Sequence, residues 1–225
     1  EAAFAQISPS WLQWGSLMPI YLSEPSQLYR LLTSMFLHGN LLHLIFNMLY
    51  LYYFRKAVEG VMGSWRFLAL YLVSGLVAEA FHVAFIPVEG YRSVAVPALG
   101  ASGAISGVLG AYLLLFPGSR LTMYFLYLYF PVRVTMNAAA YLIFWFATQV
   151  LQGYLGADVG VAFFAHVGGF IAGLAALPYL LDRERHRFLK LLMAPRRAFG
   201  YVRFGRTGLG KLAKAVLAVL LLSVA

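Results

Sequence analysis

The sequence predicts an all-α polytopic membrane protein, and its composition and its long apolar stretches lead to that class. Of the 225 residues, 62% are hydrophobic and 11% are charged, whereas soluble domains carry roughly 25% charged residues. Several stretches approach the ~20 apolar residues that cross a hydrocarbon core, and the polar segments between them are too short for a second domain. Cysteine is absent, which excludes disulfides, thiol nucleophiles and cysteine-ligated zinc.

The first element, residues 1–40, is predicted as the end of a first helix region followed by an interfacial loop. The segment is apolar, but Pro9, Pro19 and Pro25 interrupt it and disfavour a straight span. The chain starts without methionine, as though a helix had just ended. A first helix is therefore expected to be missing from this sequence.

The membrane core is predicted over residues 41–181, and helix packing alone is expected to stabilise it. A basic inside linker over 182–211 and a possible additional transmembrane segment over 212–225 follow the core. Runs of apolar residues divide the core into five predicted spans, which are 41–54, 65–86, 102–116, 134–152 and 161–181.

The basic residues are distributed unevenly between the two ends of these spans. When the start of the first span faces outward, 15 of the 17 Lys and Arg residues lie inside and only Arg30 and Arg92 lie outside. This bias accounts for the net charge of +9 without a nucleic-acid partner, for which the sequence has no motif. The same orientation brings a set of polar residues near the outer face, namely His38, His43, Ser102 and His166.

A nucleophile and a possible base each lie near the start of an apolar span. Ser102 begins its helix, where free backbone N–H groups and the positive end of the dipole favour a developing negative charge. His166 follows 64 residues later, about one turn into its own span. His43 and Asn47 are four residues apart and share one helix face, with His38 about a turn earlier. Together these residues indicate catalysis within a membrane.

Small residues predict that the serine and histidine helices pack closely. Gly103 and Gly107 are four residues apart on the serine span, and Gly169 and Gly173 repeat this spacing on the histidine span. No Asp or Glu is placed to orient His166, so a dyad is expected rather than a triad.

These motifs, in this order, resemble those of the rhomboid family of intramembrane serine proteases. The resemblance covers residues 29–181 and implies a rhomboid-like helix bundle, to which 212–225 would be an appended span. The three motifs that carry it are His38-Gly39-Asn40-Leu41-Leu42-His43 with Asn47, Gly100-Ala101-Ser102-Gly103, and Ala165-His166-Val167-Gly168-Gly169.

The resemblance also implies a role for each matched residue. Ser102 would attack the scissile carbonyl, and His166 would be its general base and then general acid. His43, Asn47 and the serine backbone N–H would form an oxyanion hole, and His38 would support it or be structural. The implied substrates are transmembrane proteins cleaved near the outer face of the bilayer, without a cofactor or metal.

Two further matches are architectural, and two positions depart from the family pattern. Arg30 matches the arginine of a first-loop Trp-Arg pair, and Glu59 matches the glutamate of a Glu-x-x-x-Gly element. Position 29 is Tyr where the family usually has Trp, and position 106 is Ser where members often carry an aromatic ring against the catalytic histidine.

Three other interpretations of the sequence compete with the protease. A catalytically inactive rhomboid-like protein that binds membrane clients is the alternative, although the presence of both Ser102 and His166 disfavours it. A small transporter or channel would need paired intramembrane charges or broken helices at mid-depth. The sequence shows a pattern for neither, which disfavours this alternative. A metal site formed by Glu79 and His82 with His38 or His43 is disfavoured because no third ligand lies at a familiar spacing.

Overall fold

The computed structural model describes residues 7–89, 94–127, 130–155 and 161–187, and helices make up most of this part of the chain. The predicted bundle of helices is confirmed, with one β-hairpin added. In chain order the elements are α1 (Pro9–Gly15), α2 (Arg30–Thr33), α3 (Leu41–Met62), α4 (Ser64–Glu89), α5 (Ser102–Leu115), β1 (Arg120–Tyr127), β2 (Phe130–Asn137), α6 (Ala138–Leu155) and α7 (Phe163–Leu180).

The segment before α3 is broken into short pieces, and prolines start three of them. Pro9 opens α1, and Pro19 and Pro25 each open a single 3₁₀ turn, because proline fits the first helical position but not a helix interior. Large apolar side chains of this segment, such as Trp11 and Ile20, are exposed. Residues 1–6 of the predicted first region 1–40, most of the predicted linker 182–211, and the predicted segment 212–225 lie outside the described residues.

Helix α3 begins and ends at residues that cap it. The Asn40 side chain accepts a hydrogen bond from the His43 backbone N–H (2.8 Å), which is a standard N-cap. The helix ends at Gly63, whose φ of +82° suits glycine. It is longer than the predicted span 41–54, because its last two turns continue past the charged residues and bury Val58 and Val61.

Helix α5 lies at the centre of the bundle and contacts α3, α4 and α7. Every residue from Gly103 to Tyr112 is buried. It packs against α4 through small residues, where Gly103 faces Ala78 and Gly107 faces Ser74. Because the residue numbers rise along α5 as they fall along α4, the two helices are antiparallel. The start of α5 therefore lies in the interior of the bundle.

The β-hairpin between α5 and α6 was not predicted. Strands β1 and β2 pair in antiparallel register from Arg120 opposite Asn137 to Tyr127 opposite Phe130, and the Thr122 and Thr135 hydroxyls lie 3.1 Å apart across the pair. The helix predicted from residue 134 consequently starts at Ala138, because residues 134–137 belong to β2.

Two helices of the described chain are long and apolar enough to cross a membrane, judged by length and composition. They are Ser64–Val88, with 25 residues, and Phe163–Leu180, with 18 residues. Helix α5 is apolar but shorter, and the spans assigned to α3 and α6 stay predictions.

Candidate active site

Ser102 is the first residue of α5 and is presented by a sharp turn. Gly100 has a φ of +128°, a backbone angle that residues other than glycine rarely adopt. The Gly100 N–H donates to the Ser34 carbonyl oxygen at 2.9 Å, which fixes this turn to the segment before α3. As the first helical residue, Ser102 has a backbone N–H without a partner in its own helix.

His166 lies in the first turn of α7 and reaches the serine. Its Nε2 atom lies 2.8 Å from Ser102 Oγ, within hydrogen-bond distance. Both residues are half-buried. The structure thus brings together two side chains that are 64 residues apart in the sequence.

The predicted glycine pairs lie at the contact between α5 and α7. A methyl group on Gly169 would collide with the carbonyl oxygen of Gly103, and one on Gly173 would collide with that of Gly107. The two backbones touch directly because no side chain separates them. This contact sets the distance between the serine and histidine helices.

His43 lies on the other side of the serine turn. A Cβ atom built on Gly100 would lie 2.8 Å from His43 Nε2 and 3.6 Å from Ser102 Oγ, so both side chains border the same point. The Gly39 N–H donates to His43 Nδ1 at 3.4 Å. The hydrogen of the neutral ring is therefore on Nε2, the nitrogen that faces the serine turn.

Asn47 and His38 both contact His43. Buried Asn47 donates through Nδ2 to the His43 carbonyl oxygen at 2.8 Å, one turn earlier in α3. The structure thus joins Asn47 to His43 and records no hydrogen bond from its amide to Ser102 among the described residues. The His38 ring packs edge-on against the His43 ring, with centroids 5.2 Å apart.

Two buried polar side chains hold the segment before α3 in place. Arg30 donates to the Gln13 and Ser16 carbonyl oxygens (2.7 and 3.0 Å) and to the Gln27 side chain (2.7 Å). Glu79 of α4 accepts from the Ser34 hydroxyl at 2.8 Å, and Ser34 is the residue whose carbonyl holds Gly100. This segment is therefore attached to α4 and to the turn before the serine.

The remaining sequence-based candidates have no recorded hydrogen bond to Ser102 or His166 among the described residues. Glu59 forms an ion pair with Arg55 one turn earlier (2.6 Å), and its carbonyl accepts from the Gly63 N–H that ends α3. Glu79 and His82 are buried on α4. Within the described chain, no three His, Cys, Asp or Glu side chains come together as a metal site requires.

The comparison with known protein families identifies the family of the chain. A family model described as the Rhomboid domain matches residues 25–183, which contain the serine turn and both histidine motifs. The chain belongs to the rhomboid family. Rhomboids are integral membrane proteins, and those with proteolytic activity are serine proteases.

Several rhomboid relatives are similar over part or most of the chain. The putative rhomboid protease YdcA of Bacillus subtilis is 27% identical over 159 residues, which cover 71% of this chain and 70% of that protein. The presenilin-associated rhomboid-like protein A of Danio rerio is 30% identical over 183 residues, covering 77% of this chain and 45% of that protein. The rhomboid protease GluP of Bacillus subtilis is 44% identical over 85 residues, which cover 38% of this chain and 15% of that protein.

The chain spans less than half the length of two of these relatives. No solved structure matches the chain.

Helix α6 contributes two contacts to this rhomboid site that sequence reasoning missed. The Gln149 side-chain oxygen lies 2.7 Å from His166 Nδ1, and the Trp145 ring lies 6.1 Å from the His166 ring at a tilt of 34°. Ser106, at the position where family members often carry an aromatic ring, donates to the Ser102 carbonyl oxygen (2.7 Å). A polar residue in an apolar helix is a signal of function, and that rule could have identified Gln149.

The tyrosine at position 29 keeps a structural contact in the segment before α3. Its hydroxyl donates to the Trp14 carbonyl oxygen at 2.8 Å, and its ring lies 5.7 Å from the Trp14 ring. The guanidinium of Arg30 lies 5.4 Å from the Tyr29 ring centroid. The change from Trp to Tyr thus preserves an aromatic neighbour for Arg30.

Proposed function

We propose that this rhomboid is an intramembrane serine endopeptidase that cleaves transmembrane proteins with a Ser102–His166 dyad. The 2.8 Å separation between Ser102 Oγ and His166 Nε2 is the observation that carries the proposal. A serine hydroxyl is a weak nucleophile unless a base accepts its proton. This pair supplies that base at hydrogen-bond distance.

The proposed reaction has two steps. His166 Nε2 takes the proton as Ser102 Oγ bonds to the scissile carbonyl carbon, and the imidazolium then protonates the leaving amine as the peptide bond breaks. A water molecule next attacks the acyl-enzyme, with the same nitrogen as base, and releases the new carboxyl group and the serine. The cycle needs neither a cofactor nor a metal.

Two N–H groups support an oxyanion site for the tetrahedral intermediate. One is the Ser102 backbone N–H at the start of α5, and the other is His43 Nε2–H beside Gly100. Donors fixed in place before the reaction stabilise developing negative charge at small reorganisation cost. Asn47 is proposed as a third donor, which would have to turn from its own helix to take part.

The length of α5 supports a reaction below the membrane surface. Its 14 residues span about 21 Å at 1.5 Å per residue, against a hydrocarbon core of roughly 30 Å. A helix of this length leaves its first residue below the outer ends of longer neighbours. The proposed substrates are accordingly membrane-anchored chains, cut near the outer face.

The experiment that tests this function compares the wild-type chain with Ser102→Ala, reconstituted in liposomes. We expect the wild type to cleave a transmembrane model substrate and to be labelled by a fluorophosphonate probe, and we expect Ser102→Ala to do neither. The variant should keep its thermal midpoint, because it removes one oxygen from a half-buried site. Cleavage by Ser102→Ala near the wild-type rate would exclude this serine as the nucleophile.

A folded wild-type chain that neither cleaves nor labels would overturn the protease proposal. In that case, the inactive client-binding rhomboid would become the better description.

A further inference from the structure

We propose that Gln149 is a positioning residue that holds His166 in the one ring tautomer able to accept the Ser102 proton. The proposal rests on the protease function proposed above and adds a third residue to the dyad. It starts from a hydrogen-bonded series of four side chains, which runs from Thr148 through Gln149 and His166 to Ser102.

The orientation of the Gln149 amide follows from its neighbour Thr148. The Thr148 hydroxyl has one hydrogen, which it donates to the Trp145 carbonyl oxygen at 2.6 Å. Its oxygen can then only accept from Gln149, whose Nε2 lies 3.4 Å away. The NH₂ group of the amide therefore faces Thr148, and the carbonyl oxygen faces His166.

The orientation of the amide fixes the hydrogen on the histidine. Gln149 Oε1 can only accept, and it lies 2.7 Å from His166 Nδ1, so Nδ1 carries the hydrogen. The other nitrogen, Nε2, is then bare and points at Ser102 Oγ. The opposite tautomer would have no lone pair for the serine proton and would leave two acceptors facing each other at Gln149.

Burial makes this arrangement strongly preferred. Only 3% of the Gln149 surface is exposed, and a buried amide without a partner costs free energy. The Trp145 ring, one turn earlier on α6, packs beside His166 and limits rotation of the imidazole. A neutral amide thus supplies the orientation that an acidic residue provides in a Ser-His-Asp triad.

The test uses three variants and a matched control in the full chain. Gln149→Met keeps the size of the side chain but removes the acceptor, Gln149→Glu keeps an oxygen acceptor in either protonation state, and Thr148→Val removes the hydroxyl that orients the amide. Gln152→Met is the control, since Gln152 lies three residues further along α6 and its Oε1 atom is buried without a hydrogen-bond partner in the described chain.

We expect Gln149→Met to lower kcat and the fluorophosphonate labelling rate by about 10–100-fold, as the loss of an orienting partner does for metal-bound histidines. KM for a transmembrane substrate should stay near the wild-type value, because the amide does not contact the substrate. Thr148→Val should lower kcat and the labelling rate by less than Gln149→Met does. Gln149→Glu should be faster than Gln149→Met and closer to the wild type. Gln152→Met should match the wild type.

A spectroscopic measurement tests the tautomer independently of activity. In protein labelled with ¹⁵N-histidine, the His166 signal is assigned by its loss in His166→Asn. The wild type should show a protonated Nδ1 and a bare Nε2, and Gln149→Met should show a mixture. If the wild-type chain is inactive but shows this tautomer shift, the protease proposal fails and the positioning role stands.

The inference is overturned if Gln149→Met keeps the wild-type tautomer, or if it keeps the wild-type labelling rate. It is also overturned if Gln149→Met and Gln152→Met lose equal activity, because both losses would then reflect helix packing.

Discussion

A single ring, that of His43, connects three parts of the site. It accepts from the Gly39 N–H, contacts the His38 ring, and presents Nε2 to the turn at Gly100. The ring is therefore fixed before any substrate arrives. Preorganised donors of this kind contribute most when charge develops in the transition state.

For His43→Ala, we predict a fall in kcat of about 10²–10³, the loss seen when one oxyanion donor is removed. KM should change little, because the donor acts on charge that appears only in the transition state. Steady-state cleavage of a transmembrane substrate in liposomes measures both values. An unchanged kcat would return His43 to a purely structural role.

The lowered pKa of His38 leads to a prediction of how the stability of the protein depends on pH. Burial, aided by the neighbouring His43, lowers the pKa of His38 from 6.5 to about 4. Below pH 6.5 the unfolded chain binds a proton at His38 that the folded chain does not, so stability falls as the pH drops toward 4. Above pH 6.5 both states are neutral at this residue, and its contribution is constant.

We therefore expect the thermal midpoint of the wild type in detergent to fall between pH 7.5 and pH 5, and His38→Phe to reduce that fall. Phenylalanine keeps an aromatic edge against His43 but cannot be protonated. The comparison isolates His38, because the other four histidines are common to both proteins. An equal fall in both proteins would contradict this assignment.

At the scale of elements, the contact between α5 and α7 determines whether the dyad can form. Both helices start at the same end of the bundle, and Gly169 and Gly173 lie directly against the α5 backbone. An added methyl group would meet a carbonyl oxygen of Gly103 or Gly107, which cannot move without shifting the whole helix. Backbone contact of this kind depends on glycine at these positions.

We predict that Gly169→Ala lowers both the thermal midpoint and the cleavage rate. The matched control is Gly60→Ala in α3, where nothing lies within 4 Å of the new methyl group and alanine favours the helix. Thermal unfolding and liposome cleavage measure the two effects. If Gly169→Ala is as stable and active as Gly60→Ala, direct backbone contact is not what brings Ser102 to His166.

The elements also show what sequence patterns can predict in this protein. The predicted spans 41–54, 102–116 and 161–181 start within two residues of the observed starts of α3, α5 and α7. The agreement is close because caps, glycines and the beginnings of apolar runs coincide at these points. The hairpin was missed because its strands form an aromatic, apolar run that resembles a membrane belt, without an Asn-Gly or Asp-Gly turn.

The partner of His166 was missed for a different reason. No Asp or Glu in the sequence is placed to orient His166, and a neutral amide is not the residue type that a Ser-His-Asp triad leads one to expect. Gln149 lies 17 residues earlier, on another helix, and only the packing of α6 against α7 brings the two together. Contacts of this kind depend on helix rotation, which the apolar pattern of α6 does not determine.

At the scale of the whole molecule, the two ends of the bundle differ in chemistry. Ser102, His166 and His43 lie at one end, where α3, α5 and α7 start. Arg66, near the start of antiparallel α4, forms an ion pair with Asp182 beyond the end of α7 at 2.8 Å. The Arg185 backbone N–H and the Arg66 guanidinium lower the pKa of Asp182. Further basic residues lie at this end, opposite the serine, namely Arg55 and Lys56 in the last turns of α3 and Arg183, Arg185 and Arg187 just after α7.

This polarity predicts the orientation of the protein in a membrane. From the positive-inside rule, we predict that the Arg66 end faces the cytoplasm and that the serine end faces outside. The chain has no cysteine, so each engineered cysteine is a unique thiol. Exposed Ser23 lies in the segment before α3, and exposed Gly118 lies between α5 and β1, near the opposite end.

We expect a membrane-impermeant maleimide to label Ser23→Cys in intact cells, and to label Gly118→Cys only after the membrane is opened. Both sites are exposed, so a difference in labelling reports sidedness and not burial, and equal labelling of both in detergent provides the control. The result matters for function because a serine at the outer end can act only on substrates whose cleavage site lies near that face. Labelling of Gly118→Cys in intact cells, with Ser23→Cys protected, would invert the orientation and place the reaction at the cytoplasmic side.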